Sequence, residues 1–165
     1  IAYQQLLQRQ SHLGVLLGPY DHPNLVTIKS YSCGLACVMR SEHALARKRR
    51  VTPADLAGER VITSPESTPF GQTLRRAFGS AASAMHMDIE CVSSTTATWF
   101  AQAGIGVAVV DQASIAGGLL PGLQVRPFQS QEKLEVRLVR NRYRPMSVAD
   151  RAFAGLFDKT WRSVM

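Results

Sequence analysis

An α/β fold with mainly parallel sheets is what this sequence predicts, and three observations predict it. Short apolar runs alternate with amphipathic helical stretches along almost the whole chain. Hydroxyl-bearing helix starts recur at Thr52, Ser93 and Ser147, each just after an extended or turn-rich segment. Hydrophobic residues make up 45% and charged residues 19% of the 165, which excludes global disorder and leaves room for one domain or two small lobes on one core.

Taken in order, Tyr3 to Gln10 reads as the end of a helix. Leu13-Gly14-Val15-Leu16-Leu17-Gly18 is continuously apolar, as a strand covered on both faces should be. A turn-rich loop with Pro19, Asp21, Pro23 and Asn24 follows. Leu25 to Ile28 and Gly34 to Met39 read as strands separated by the polar Lys29 to Ser32. Thr52-Pro53-Ala54-Asp55 starts a helix with a hydroxyl cap, an early proline and an acid three positions on. After the brief strand Val61-Ile62-Thr63 comes a hydroxyl-rich loop, Ser64 to Pro69, then a helix with Phe70, Leu74, Ala77, Phe78 and Ala81 on one face. Met87 to Cys91 alternates apolar and acidic residues as a half-buried strand does. A helix capped at Ser93-Ser94-Thr95, with Ala97, Phe100 and Ala101 inward, stops at Gly104. Ile105 to Val110 is a buried strand, Leu123 to Arg126 and Leu134 to Val139 are later ones, and Ser147 caps a closing helix bearing Ala149, Ala152, Phe153, Leu156 and Phe157.

Several chemistries are disfavoured. No apolar run is long enough to cross a bilayer, and Ile1 to Gln10 lack the pattern of a secretory signal. The net charge of +7 raises nucleic-acid binding, but Arg47-Lys48-Arg49-Arg50 and the series Arg137, Arg140, Arg142, Arg144 lack interleaved stacking aromatics and read as solvated surface. Cys33, Cys37 and Cys91 are too few and too scattered for a disulfide framework, and buried thiols in a reducing cytoplasm are expected. No Gly-x-Ser-x-Gly elbow is present, and Ser64 and Ser67 have no histidine near them in sequence, so no enzyme is expected. His86 would point away from Met85 and Met87 in a strand, so neither a metal site nor a cofactor is expected. Gly104-Ile105-Gly106 follows a helix and precedes a strand, the reverse of a dinucleotide fingerprint.

The informative features are the two strand-loop-helix junctions, Ser64 to Thr68 and Ser93 to Thr95. Free backbone N–H groups and the positive end of the helix dipole suit carboxylate or phosphate. Plain helix capping is the competing reading of either loop alone. In an open α/β sheet both junctions lie at the carboxyl ends of strands, beside Asp111 after a third strand, which is where ligands collect.

Three stretches in order resemble the effector-binding domain of LysR-type transcriptional regulators. Asp55-Leu56-Ala57-Gly58-Glu59-Arg60-Val61-Ile62-Thr63-Ser64-Pro65-Glu66-Ser67 resembles the entry to the second lobe. Ser93 to Asp111 resembles the family's most recognisable stretch, a serine-capped helix ending in a glycine pair and turning into a buried strand. Leu123 to Phe128, the closing helix from Ser147 and His43-Ala44-Leu45-Ala46 complete the pattern. The resemblance implies a two-lobed fold like type 2 periplasmic binding proteins with mostly parallel sheets. Residues 1–33 and 127–165 would form an incomplete first lobe and 34–126 the second, with the DNA-binding winged helix-turn-helix outside this chain.

It further implies a small metabolite in an interlobe cleft, and a carboxylate-bearing, amino-acid-like effector is expected. Ser64, Ser67, Thr68, Ser93, Ser94, Asp111 and Gln112 would contact it from the second lobe, with Gly18 and Pro19 opposite. Many relatives carry proline near Asp111-Gln112, so this chain would instead offer a carboxylate and an amide to a ligand's amino group. Other implied partners are a second copy or three more (homodimer or homotetramer), promoter DNA through the head not present here, and RNA polymerase, with no membrane and a cytoplasmic location. An exported solute-binding protein of the same fold is the alternative.

Overall fold

The structure, a computed structural model, describes residues 2–18, 21–118 and 120–164. The chain divides into two compact units. Unit 1 is Ile1–Ser32 with Glu135–Met165, and unit 2 is Cys33–Leu134.

Unit 1 is built on a three-stranded sheet of order β1-β8-β2, from β1 (Leu13–Leu17), β2 (Leu25–Cys33) and β8 (Leu134–Asn141). β1 pairs antiparallel with β8, Leu16 opposite Arg137. α1 (Ala2–Leu7) closes one face, with Leu6 fully buried against Leu16, Leu25 and Val139. The helix ends earlier than its sequence suggests, because Arg9 turns the chain with φ 61°. β1 is an edge strand, and Val15 and Leu17 remain 39% and 36% exposed where its apolar run predicts burial on both faces. β2 continues straight through Lys29–Ser32 where the polar residues suggest a break. Ser30 Oγ donates to Glu135 at 2.5 Å and Lys29 pairs with Asp158 at 2.9 Å, so these groups are satisfied along an edge strand whose backbone ladder does not depend on their polarity.

The closing helix, α4 (Val148–Val164), starts with a reciprocal cap between Ser147 and Asp150. Its inward stripe is not the one its pattern predicts. Only Asp150 and Ala154 are buried, while Phe153 and Leu156 are exposed. Tyr31 of β2 selects the contact instead: its ring lies 5.0 Å from Trp161 and 5.6 Å from Phe157, and its hydroxyl donates to Asp158 at 3.1 Å. The arginine series of the C-terminal region is spent within the unit: Arg137 pairs with Asp21 and Glu135, and the others reach backbone carbonyls. Arg140 donates to the carbonyls of Asn141, Arg142 and Arg144, and Arg142 to that of Pro23.

Unit 2 holds a five-stranded sheet of order β5-β4-β6-β3-β7. Its strands are β3 (Leu35–Arg40), β4 (Arg60–Thr63), β5 (His86–Glu90), β6 (Val107–Asp111) and β7 (Leu123–Pro127). β4 is parallel to β5 and β6, and β3 runs antiparallel to β6 and β7. Four strands therefore point one way and β3 alone opposes them. β3 enters without a preceding crossover helix, so nothing forces it into the common direction. α2 (Pro69–Phe78) connects β4 to β5 and α3 (Ser94–Gln102) connects β5 to β6. α2 buries Phe70, Leu74, Ala77 and Phe78 as its spacing predicts. The helical pattern stops there, and Gly79–Ala84 tightens into a 3-10 turn that leaves Ala81 half-buried. On α3 the buried residues are Ala97, Thr98 and Ala101, with Phe100 turned outward. Ala97 and Ala101 pack on Ile62, Ala108 and Val110. Each such small residue lets the helix lie close to the central strands.

Candidate functional site

β4, β5 and β6 share one direction, so their carboxyl ends lie at one edge of unit 2. Crossovers from β4 to β5 and from β5 across β4 to β6 run in opposite senses along the sheet. Right-handedness then puts α2 and α3 on opposite faces, with both N-termini at that edge.

Thr68 is the N-cap of α2. Its Oγ1 accepts from the Gly71 N–H at 2.9 Å and donates to the Pro65 carbonyl at 2.7 Å. With that proton committed, Ser64 Oγ supplies the one between the two hydroxyls, 3.1 Å apart. Ser64 is buried. Ser67 is exposed and has no hydrogen-bond partner among the described residues, so it is the free hydroxyl of this loop. Gly71 holds the loop tightly: a Cβ there would lie 1.9 Å from the Pro65 carbonyl oxygen.

At the second junction Ser93 caps α3 and accepts from the Thr96 N–H at 3.4 Å. Ser94 donates its hydroxyl to Asp111 Oδ2 at 2.7 Å. Asp111, at the end of β6, also accepts from the Ser114 N–H at 2.8 Å and the Ser114 hydroxyl at 2.7 Å. Its carboxylate is buried and has three donors within the chain. It therefore works as a tie between α3, β6 and the 3-10 turn Gln112–Ile115 rather than as an open receptor for an amino group. Gln112 bonds through its N–H to the Gly34 carbonyl at 3.0 Å, and its side-chain amide lies over Gly34, where a Cβ would come within 2.6 Å of Oε1.

Ser64, Thr68, Ser93, Ser94 and Asp111 thus gather at one edge of one sheet. Gly18 belongs to unit 1, where its N–H donates to the Glu135 carbonyl at 2.7 Å with φ 94°. Pro19 lies outside the described residues. Beside the edge is a cavity of about 290 Å³ lined by Thr95, Thr98, Trp99, Ser114, Ile115 and Leu120 among others. Sequence reasoning did not reach Ser114. The signal was present, since Asp111 and Ser114 have the spacing of an acidic cap and the N–H three positions on.

Other chemistry is not assembled. Burial pushes the thiols of Cys33, Cys37 and Cys91 above their ordinary range, so none is a ready thiolate. Among the described residues no group of three histidine, cysteine or acidic side chains is placed to hold a metal ion, and no helix is long and apolar enough to cross a membrane. Met87 Sδ instead accepts from Arg75 at 3.2 Å.

The family described as the LysR substrate binding domain matches residues 2–162. The transcriptional activator protein LysR of Escherichia coli (strain K12) is 31% identical over 119 residues, 72% of this chain and 38% of that protein. The chain thus spans well under half of this curated relative. Among solved structures, the effector binding domain of QuiR in complex with shikimate superposes with a TM-score of 0.74 at 14% identity, over 93% of this chain and 73% of that one. The regulatory domain of Synechocystis PCC6803 CcmR in complex with 2-PG gives 0.73 at 15% identity, over 93% and 75%. Full-length CbnR complexed with its target DNA gives 0.72 at 16% identity, over 86% and 50%.

Proposed function

The chain belongs to the LysR substrate-binding domain family, and from that premise we propose that it is the effector-sensing part of a LysR-type transcriptional regulator that takes a carboxylate-bearing metabolite. The observation that carries this reading is the pair of capped helix N-termini, Thr68 on α2 and Ser93 on α3, at one edge of the unit 2 sheet. Both present the ends of the backbone dipoles that favour an anion. Ser67 and the first-turn N–H groups of α3 are the donors offered to the ligand, and Ser64, Ser94 and Asp111 hold their loops in place. Both oxygens of Asp111 already accept from Ser94 and Ser114, so an amino group on the effector would have to share that carboxylate with them. Two relatives solved with small molecules, QuiR with shikimate and CcmR with 2-PG, support an effector of that size.

In the whole protein the metabolite favours one arrangement of a homo-oligomer, and the DNA-binding heads follow. No bond is made or broken. The test is a thermal-shift panel of small carboxylates on this chain, repeated with Ser67→Ala and Ser93→Ala. A carboxylate that raises the melting temperature, and does so less in both variants, supports the reading. A panel with no hit, or a hit that both variants leave untouched, overturns it.

A further inference from the structure

At the opposite end of the unit 2 sheet from the hydroxyl loops lies a second cavity, of about 360 Å³. It opens where β3 ends at Arg40 and where β4 and β6 begin. Its volume is in the range of small-molecule sites. Two glycines line the entry to β6: Gly106 lies so close to β4 that a Cβ would meet the Arg60 carbonyl oxygen at 2.3 Å, and Gly104 holds φ at 78°. Half-buried Ile105 adds apolar lining.

The rim carries two guanidinium groups, Arg40 and Arg60, and two carboxylates, Glu42 and Glu59. Arg40 is paired with Glu42, and His43 Nε2 lies 3.5 Å from Glu59. A simple anion would draw a guanidinium from its carboxylate and leave that carboxylate alone. A simple cation would do the reverse. A ligand with one carboxylate and one ammonium replaces both halves of a pair at once and leaves the charge of the rim balanced.

We propose that this cavity is a second small-molecule site, which takes a zwitterion of free amino acid type with an apolar side chain. Arg40 and Arg60 receive the carboxylate, Glu42 and Glu59 the ammonium, and Ile105 the side chain. The site is independent of the effector reading above, and it would let an amino acid stabilise unit 2 alongside the effector.

The experiment is a titration of the isotope-labelled chain with L-leucine, followed by amide correlation spectra, with isoamylamine and N-acetyl-L-leucine as controls lacking one charge each. Leucine shifts the amides of His43, Gly104 and Gly106, both controls fail to do so, and Arg40→Gln and Glu59→Gln each weaken binding roughly tenfold. Ser93→Ala, which tests the effector reading, leaves this titration unchanged. The proposal is overturned if leucine shifts nothing, if it shifts only the amides of 64–68 and 93–95, or if the two controls shift the same amides as well as leucine does.

Discussion

β1 and β6 are two apolar runs of the same length, Leu13–Leu17 and Val107–Asp111, and they meet different fates. Every residue of β6 is buried, because β4 and β3 flank it and α3 covers it. β1 lies at the edge of its sheet with α1 on one face only, so Leu16 is buried and Val15 and Leu17 are open. Apolar composition says that a strand can be covered. Its neighbours decide whether it is.

Substitutions can break that contrast. The largest effect is expected at the centre of unit 2: Val110→Asp puts an unpaired carboxylate among Ile62, Ala97 and Ala108 and costs more than about 4 kcal/mol. Denaturant unfolding followed by circular dichroism reads it, and a loss under half that figure would mean that β6 is less enclosed than its burial indicates. Next comes Asp111→Ala at the end of the same strand. It leaves the Ser94 and Ser114 hydroxyls and the Ser114 N–H without their acceptor, a cost of about 1–3 kcal/mol. Loss of carboxylate binding in the thermal-shift panel should accompany it.

A smaller effect is expected in the pH dependence of stability. Lys48 and the Thr52 N–H, hydrogen-bonded to Asp55, hold its carboxyl below the usual aspartate range. A depressed folded value means that the stabilisation is complete above the ordinary value of about 3.9 and is lost as pH falls through the lower folded one. Lys48→Ala should therefore lower the melting temperature slightly near neutrality, change little in acid, and so flatten the acid limb of melting temperature against pH. The smallest effect belongs to the edge strand, where Leu17→Ser should stay within about 0.5 kcal/mol. A larger loss there would show that something covers β1 in solution.

The same contrast explains what could be read from the residues alone. Caps were legible at Thr52, Ser93 and Ser147, because a cap is a contact across three residues. The buried face of α2 was legible for the same reason, its spacing being local. The role of Asp111 was not, since Ser94 comes from 17 residues away and only folding brings that hydroxyl to it. Nor was the buried side of α4, which depends on Tyr31, more than a hundred residues earlier. The passage of β2 through Lys29–Ser32 was hidden because their partners, Asp158 and Glu135, are equally remote.

Position 71 carries a consequence for how such a protein can diverge. Its glycine lets the first turn of α2 rest on the backbone of Ser64 and Pro65, and any other residue would overlap that backbone. On the proposed reading, Ser67, which is exposed and hydrogen-bonded to nothing among the described residues, can change and leave the platform intact. The chain cannot alter Gly71 without losing the shape of the loop. The exposed rim of the loop is thus open to single substitutions, while the turn that presents it stays closed to them.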